Sequence, residues 1–139
     1  MAEALKVKLL PRESAQMEKK ATANMEAYTL YLKGRHHWNK RSTVSVNKAI
    51  EYFQKAIDHD PNYASAYAGL ADCYNILTDH GYMSPKEAYS KAREAAGRAL
   101  ELDGGLAEAH ASLALVLVND WKWTAAETEF KRAIELNPN

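Results

Sequence analysis

The chain predicts an all-α solenoid: three helix–turn–helix repeats in a row, behind a short N-terminal helix. Three observations carry this. The first is self-similarity. AIEYFQKAIDHDPN (49–62) and AETEFKRAIELNPN (126–139) share Ala at the first place, Phe at the fifth, Ala-Ile at the eighth and ninth and Pro-Asn at the end. Between them AREAAGRALELDGG (92–105) keeps Ala92, Ala96 and Ala99 at matching places, so the copies are spaced by 43 and 34 residues. A period in this range marks stacked supersecondary units. The second is helical spacing upstream of each copy. Tyr67, Leu70, Ala71 and Tyr74 recur at intervals of three, one and three, as do His110, Leu113, Ala114 and Leu117. Such intervals put side chains on one helical face. Each repeat is therefore a pair of amphipathic helices, A then B. The third is punctuation: Asp60-Pro61, Gly104-Gly105 and Asn137-Pro138 close the three B helices.

The elements follow in order. Helices are expected near 3–10, 25–38, 43–59, 63–78, 85–102, 106–119 and 124–136. Asn24 and Ser42 stand where N-caps belong. Ser84-Pro85-Lys86-Glu87 reads as an N-cap, a first-turn proline and a capping-box glutamate, and Thr124 with Glu127 repeats that spacing. The residue before a proline avoids the α region, which ends the first and third B helices. The glycine pair should end the second through a left-handed cap. The nine surplus residues of the middle repeat must occupy a loop or lengthen a helix. Ala56, Ala99 and Ala133 sit where B helices meet their neighbours, and Phe53 and Phe130 fill the space beside them. On this register Ala133→Leu overpacks its contact by roughly 1–3 kcal/mol.

Composition bounds the function. Hydrophobic residues make up 47% of 139, enough for one core, and 18 bases balance 18 acids. No net field favours nucleic acid or an anionic membrane. The balance is uneven, with ten bases against four acids in residues 1–50 and three against seven in residues 100–139. The single cysteine, Cys73, can form neither an internal disulfide nor a zinc site alone and reads as a small buried hydrophobe. No apolar run approaches the roughly 20 residues of a spanning helix, and MAEALKVKLL lacks the long apolar stretch of a signal peptide. A soluble, cytoplasmic protein is expected. Catalytic machinery is missing: there is no phosphate-binding glycine loop, no HExxH and no CxxC. No enzyme activity, cofactor or metal is expected. His36 and His37 are adjacent, so on a helix they diverge by about 100° and do not converge on a metal. His110 should be packed, and His59 and His80 solvent-facing near helix ends.

This arrangement resembles the tetratricopeptide repeat (TPR), whose pattern is a large residue, Leu, Gly and Tyr on helix A and Ala, Phe, Ala and Pro on helix B. Leu113, Ala114, Ala126, Phe130, Ala133 and Pro138 match without gaps. Tyr67, Leu70, Ala71, Tyr74, Ala92 and Ala99 match the second repeat, and Ala49, Phe53, Ala56 and Pro61 the first, where Gly34 offers the close-packing glycine about three residues early. The resemblance covers roughly residues 24–139, as repeats of about 24–61, 62–105 and 106–139, with 1–23 left as a helix and linker. It implies a right-handed solenoid. The wording of AEALKVKLLPRE, AYTLYLKGRHHWNKRS and AEAHASLALVLVNDWKW is similar to the C-terminal repeat region of bacterial multidomain signalling proteins. Those carry adenylate cyclase, serine/threonine kinase or winged-helix modules upstream, so 1–23 would be the remnant of a preceding domain.

The resemblance also implies a function: a scaffold binding a peptide or partner protein in the concave groove lined by helix A. The groove positions fall on Tyr28, Tyr31, Arg35, Asp72, Asn75, Ile76, Leu115 and Asn119, with Ala68 and Ala111 between them. One subclass grips the C-terminal carboxylate of heat-shock chaperones. The matching places are Tyr31, Arg35, Gly69, Glu108 and Ser112, with one base and one acid, so that ligand is not expected. Two other readings remain. Bare repeat ends and opposite charge at the two ends could drive homo-oligomer assembly. The basic turn Lys33–Arg41, with Trp38, could meet nucleic acid, though a solvated turn with Trp38 packed between helices A and B is preferred.

Overall fold

The computed structural model describes residues 24–77 and 83–138. They form six helices: α1 (Met25–Lys40), α2 (Thr43–His59), α3 (Ala64–Leu77), α4 (Pro85–Leu102), α5 (Ala107–Asn119) and α6 (Trp123–Leu136). The helices fall within two residues of the expected ends, and no strand occurs among the described residues. The expected helix over 3–10, the segment 1–23 and His80 lie outside them. So does most of the stretch between α3 and α4, which takes only part of the middle repeat's surplus, since α4 has 18 residues against 14 in α6.

Each A helix packs on its own B helix, each B helix on the next A helix, and α3 touches both α1 and α5. This is the all-α stacked repeat the period predicts. Side-chain caps fix three of the six starts. Asn24 Oδ1 accepts from the N–H groups of Glu26 and Ala27 at 3.0 and 3.1 Å. Ser42 Oγ accepts from Ser45 N at 3.1 Å, and Ser84 Oγ from Glu87 N at 3.3 Å. The Thr124 box does not form, because α6 begins a residue earlier at Trp123 and its N-cap, Lys122, makes no side-chain cap bond.

The stops correct a second expectation. No left-handed glycine ends α4. Its cap is Asp103, extended at φ −150° and ψ 92°, close to Asp60 after α2 at φ −142° and ψ 95°. The Asp60 carboxylate accepts from Asn62 N at 3.1 Å, and that of Asp103 from Gly105 N at 3.0 Å. An aspartate bonding the backbone two residues on closes a turn by itself, so Gly104-Gly105 takes the shape of Pro61-Asn62 without positive φ.

The core is built from small residues around one ring. Phe53 is fully buried. A Cβ on Gly34 would stand 2.7 Å from this ring, and one on Gly69 2.6 Å from it. The two glycines thus let α1 and α3 both close on the same side chain. Ala56 is buried with Ala27, Tyr63 and Ala66, and Ala99 with Ala64, Leu106 and Ala109. These clusters repeat the same contact 43 residues apart. Cys73 is buried in the main cluster, and desolvation pushes its thiol well above the usual range. Ala133, the third alanine of the series, is only half-buried and lines an open depression with Phe130 and Ile134. A larger side chain at Ala133 therefore has open space on the side of the depression, unlike the closed contact expected there.

Candidate functional site

Successive A helices present one face, and near its middle it holds a cavity of about 330 Å³. Trp38 and Arg41 come from the end of α1 and its cap, Asp72, Asn75 and Ile76 from α3, and Leu115 and Asn119 from α5. The spacing of Asp72, Asn75 and Ile76 places all three on one side of α3. Leu115 is 43% exposed, an apolar side chain left open beside polar ones.

A polar chain binds the three A helices beneath this face. Arg35 on α1 lies 3.7 Å from the Asp72 carboxylate on α3. Ser112 Oγ on α5 donates to Asp72 Oδ1 and lies 2.9 Å from the Glu108 carbonyl. Asn75 Nδ2 donates to the Ser112 carbonyl at 3.2 Å. Burial pushes the Asp72 carboxyl up to about 6, against the downward pull of the Ser112 hydroxyl and Arg35. Desolvation outweighs pairing here, so the carboxylate is held in place at a cost.

Five of the eight expected groove residues line one cavity: Asp72, Asn75, Ile76, Leu115 and Asn119. Arg35 adjoins it through Asp72. Tyr31 and Tyr28 do not line it. The Tyr31 ring packs at 5.7 Å from Phe53 and 5.2 Å from Tyr63, and burial raises its hydroxyl pKa. Tyr28 packs beside Tyr63, Ala56 and Ala66.

Sequence reasoning misses two cavity residues as groove positions. Trp38 is expected to pack between helices; it does rest on the core cluster, but its edge also forms the cavity wall. Arg41 belongs, by its sequence, to a solvated turn. Its backbone is left-handed, φ 55° and ψ 15°, which carries the guanidinium to 4.8 Å from the Trp38 ring. No sequence signal announces an arginine in that conformation.

A larger cavity of about 670 Å³ lies between α3 and α4, lined in part by Tyr74, Lys91, Arg93, Arg98 and Glu101. Its basic residues are already paired, Lys91 with Glu87, Arg93 with Asp120 and Arg98 with Glu101. The smaller cavity is the better candidate because three successive A helices converge on it.

Three of the described histidines make structural contacts. His37 stacks on Tyr52 at 5.3 Å. His59 faces Glu26 at 3.3 Å. His110 bridges Glu129 at 2.6 Å and the Gly104 carbonyl at 2.8 Å, which ties α5 to α6 and to the preceding turn. Among the described residues no group of three or more His, Cys, Asp or Glu side chains could hold a metal, and no helix is long and apolar enough to cross a membrane.

Comparison with solved structures decides the fold. The first TPR of Spaghetti (RPAP3), bound to the HSP90 peptide SRMEEVD, superposes with a TM-score of 0.67 at 20% identity, covering 86% of this chain and 85% of that one. The fold is that of a tetratricopeptide domain. The first TPR domain of human RPAP3 gives a TM-score of 0.67 at 21% identity, over 82% of this chain and 80% of that one. The second TPR of Spaghetti, bound to the same peptide, gives 0.65 at 20%, over 81% and 93%. No family model matches the chain. Among curated proteins, the transcriptional regulator HilA of Salmonella paratyphi A is 29% identical over 115 residues, 83% of this chain. HilA of Salmonella typhimurium is 28% identical over the same length. The chain spans 21% of the length of these relatives.

Proposed function

We propose that this TPR domain is a non-catalytic interaction module that takes a peptide segment of a partner protein across the face of α1, α3 and α5. The observation that carries the reading is the cavity where Ile76 and Leu115 offer apolar contact beside Asn75, Asn119 and Asp72. A few placed polar groups in an apolar recess suit one or two anchoring side chains of a peptide. Two similar domains are bound to an HSP90 peptide, which supports peptide recognition on this fold. A chaperone tail is not the ligand we propose. Arg35, the one basic residue of the clamp positions, is engaged with Asp72, and Gly69 lies under the Phe53 ring. Similarity to HilA supports placing the domain in a bacterial cytoplasmic regulatory protein, with residues 24–139 as its repeat unit.

The test is selection from a random peptide library on the immobilised chain, followed by affinity measurement against Leu115→Arg. Leu115 is exposed, so the charge enters the cavity without unfolding the helix, and selected peptides should weaken at least about tenfold. Peptides that bind the variant as tightly as the wild type would place recognition elsewhere.

Self-association is a second reading, favoured by one observation. On α6, Ile134 is 62% exposed and borders the depression with Phe130 and Ala133. Light scattering that stays at the monomer mass at high concentration, whatever the salt, removes it.

A further inference from the structure

Resting on the groove reading, we infer that Arg41 and Trp38 form an anion-selective corner of the cavity, which takes an acidic side chain of the bound peptide.

The argument starts from the backbone. Arg41 is one of two non-glycine residues at positive φ among the described residues, at 55°. An L-residue in this region is uncommon and disfavoured, and the turn would accept glycine or asparagine more readily. The conformation is nevertheless fixed, by Arg41 N donating to the Trp38 carbonyl at 3.1 Å. Its consequence is position: the guanidinium lies over the Trp38 ring at 4.8 Å and lines the cavity. Strain of this kind is informative when it delivers a group to a recess.

Charge supplies the second step. Arg35 also lies over Trp38, at 4.9 Å, but has Asp72 as its counter-ion at 3.7 Å. Arg41 makes no ion pair of its own among the described residues. Two guanidinium groups therefore flank one indole with one carboxylate between them and the next helix. The Trp38 indole N–H is buried and finds no acceptor among the described residues. The corner thus sets two guanidinium groups against a single carboxylate, Asp72, which also accepts from Ser112. A guanidinium stacked on a ring keeps its N–H edge available and matches a carboxylate in two parallel hydrogen bonds. Ile76 and Leu115 then take the apolar side chains that flank the acid, and the Asn119 amide lies at the same cavity.

The experiment uses three blocked peptide pools, acetylated and amidated so that no terminal carboxylate is present, with the central residue fixed as Glu, Gln or Lys. Trp121→Phe and Trp123→Phe leave Trp38 as the remaining indole, and its fluorescence reports on the corner. The Glu pool should bind about five- to tenfold more tightly than the Gln pool at low salt, and the Lys pool most weakly. Arg41→Gly should erase the Glu preference, the Glu and Gln pools then binding alike, while the fold is kept because glycine accepts this φ. Arg41→Lys should retain part of it. Equal binding of the Glu and Gln pools overturns the inference and leaves the groove reading standing. So does a Glu preference that survives Arg41→Gly. Failure of all three pools to bind removes both. A short random-sequence DNA duplex that binds more tightly than the Glu pool, and loses that binding in Arg41→Gly, overturns it in favour of phosphate.

Discussion

At the scale of single residues, the pair of glycines around Phe53 sets the sharpest expectation. Alanine favours a helix over glycine by up to about 1 kcal/mol. At Gly69 that gain is opposed by a Cβ 2.6 Å from the fully buried Phe53 ring, against which α1 also packs closely at Gly34. Overpacking of this kind costs about 1–3 kcal/mol, so Gly69→Ala should lower the melting temperature. At Gly97 on α4 an added Cβ would meet nothing within 4 Å, and Gly97→Ala should stabilise the fold by up to about 1 kcal/mol. Opposite signs for one chemical change test the packing rather than the propensity. Asp72 gives a pH prediction. Its carboxyl is raised from 3.8 to about 6, so between those values the folded state holds a proton that the unfolded state has released. Stability from this group is full below the lower value and is lost as pH rises through the upper. Arg35, Arg41 and Glu108 face it from the neighbouring helices. The melting temperature of Asp72→Asn, measured against wild type, should therefore improve from about pH 4 to pH 7. A constant difference rejects the buried carboxylate. Neither effect was legible in the residues alone: Gly34 could be picked out by its offset from the repeat, but that Gly69 faces the same ring could not. Asp72 could be placed on the groove face by register, whereas its burial depends on Ser112 and Arg35, 40 and 37 residues away.

At the scale of elements, the helices were legible because cap and period agree, and the turns were not. Ser84 with Pro85 and Glu87 gave the start of α4 to the residue. Its end came at the expected place by a different device. The glycine pair draws the eye to a left-handed cap, yet Asp103 acts as Asp60 does, the two extended at φ −150° and −142°. The series Asp60, Asp103, Asn137 has the period of the array and was in plain sight. It follows that Asp103→Ala should destabilise α4 by about 0.5–1.5 kcal/mol, the value of one local hydrogen bond, by loss of the bond to Gly105 N at 3.0 Å. Urea unfolding checks it, and an unchanged midpoint would return the stop to the glycines. The α5–α6 junction rests on His110. Its two ring nitrogens meet Glu129 and the Gly104 carbonyl, so one side chain holds α5 to α6 and to the turn before it.

At the scale of the molecule, position in the array decides what a side chain costs, and sequence register cannot show this. Ala56, Ala99 and Ala133 are equivalent letters. The first two are fully buried, Ala56 under Tyr63 and Ala66 of the following helix and Ala99 under Leu106 and Ala109. Ala133 has α5 on one side, through Ala107 and Ala111, and the open depression on the other. The two outer faces of the array also differ. That of α1 shows Glu26, Thr29, Lys33 and His36 around Met25 and Leu32, whereas that of α6 shows Phe130, Ala133 and Ile134. Head-to-tail stacking would set an apolar surface against a largely polar one, so burial stabilises such a contact only weakly. Any association is then expected through α6 itself, and Ile134→Lys should abolish it while leaving peptide binding in the groove intact. The same asymmetry predicts that one substitution will behave in two ways. Ala99→Leu forces a larger side chain into a closed contact and should cost about 1–3 kcal/mol. Ala133→Leu meets open space and should be nearly neutral, its extra methyl groups resting on Phe130 and Ile134. Equal destabilisation at both positions in chemical unfolding would mean that the α6 face is covered in solution, and light scattering on the same samples would show whether a second copy covers it.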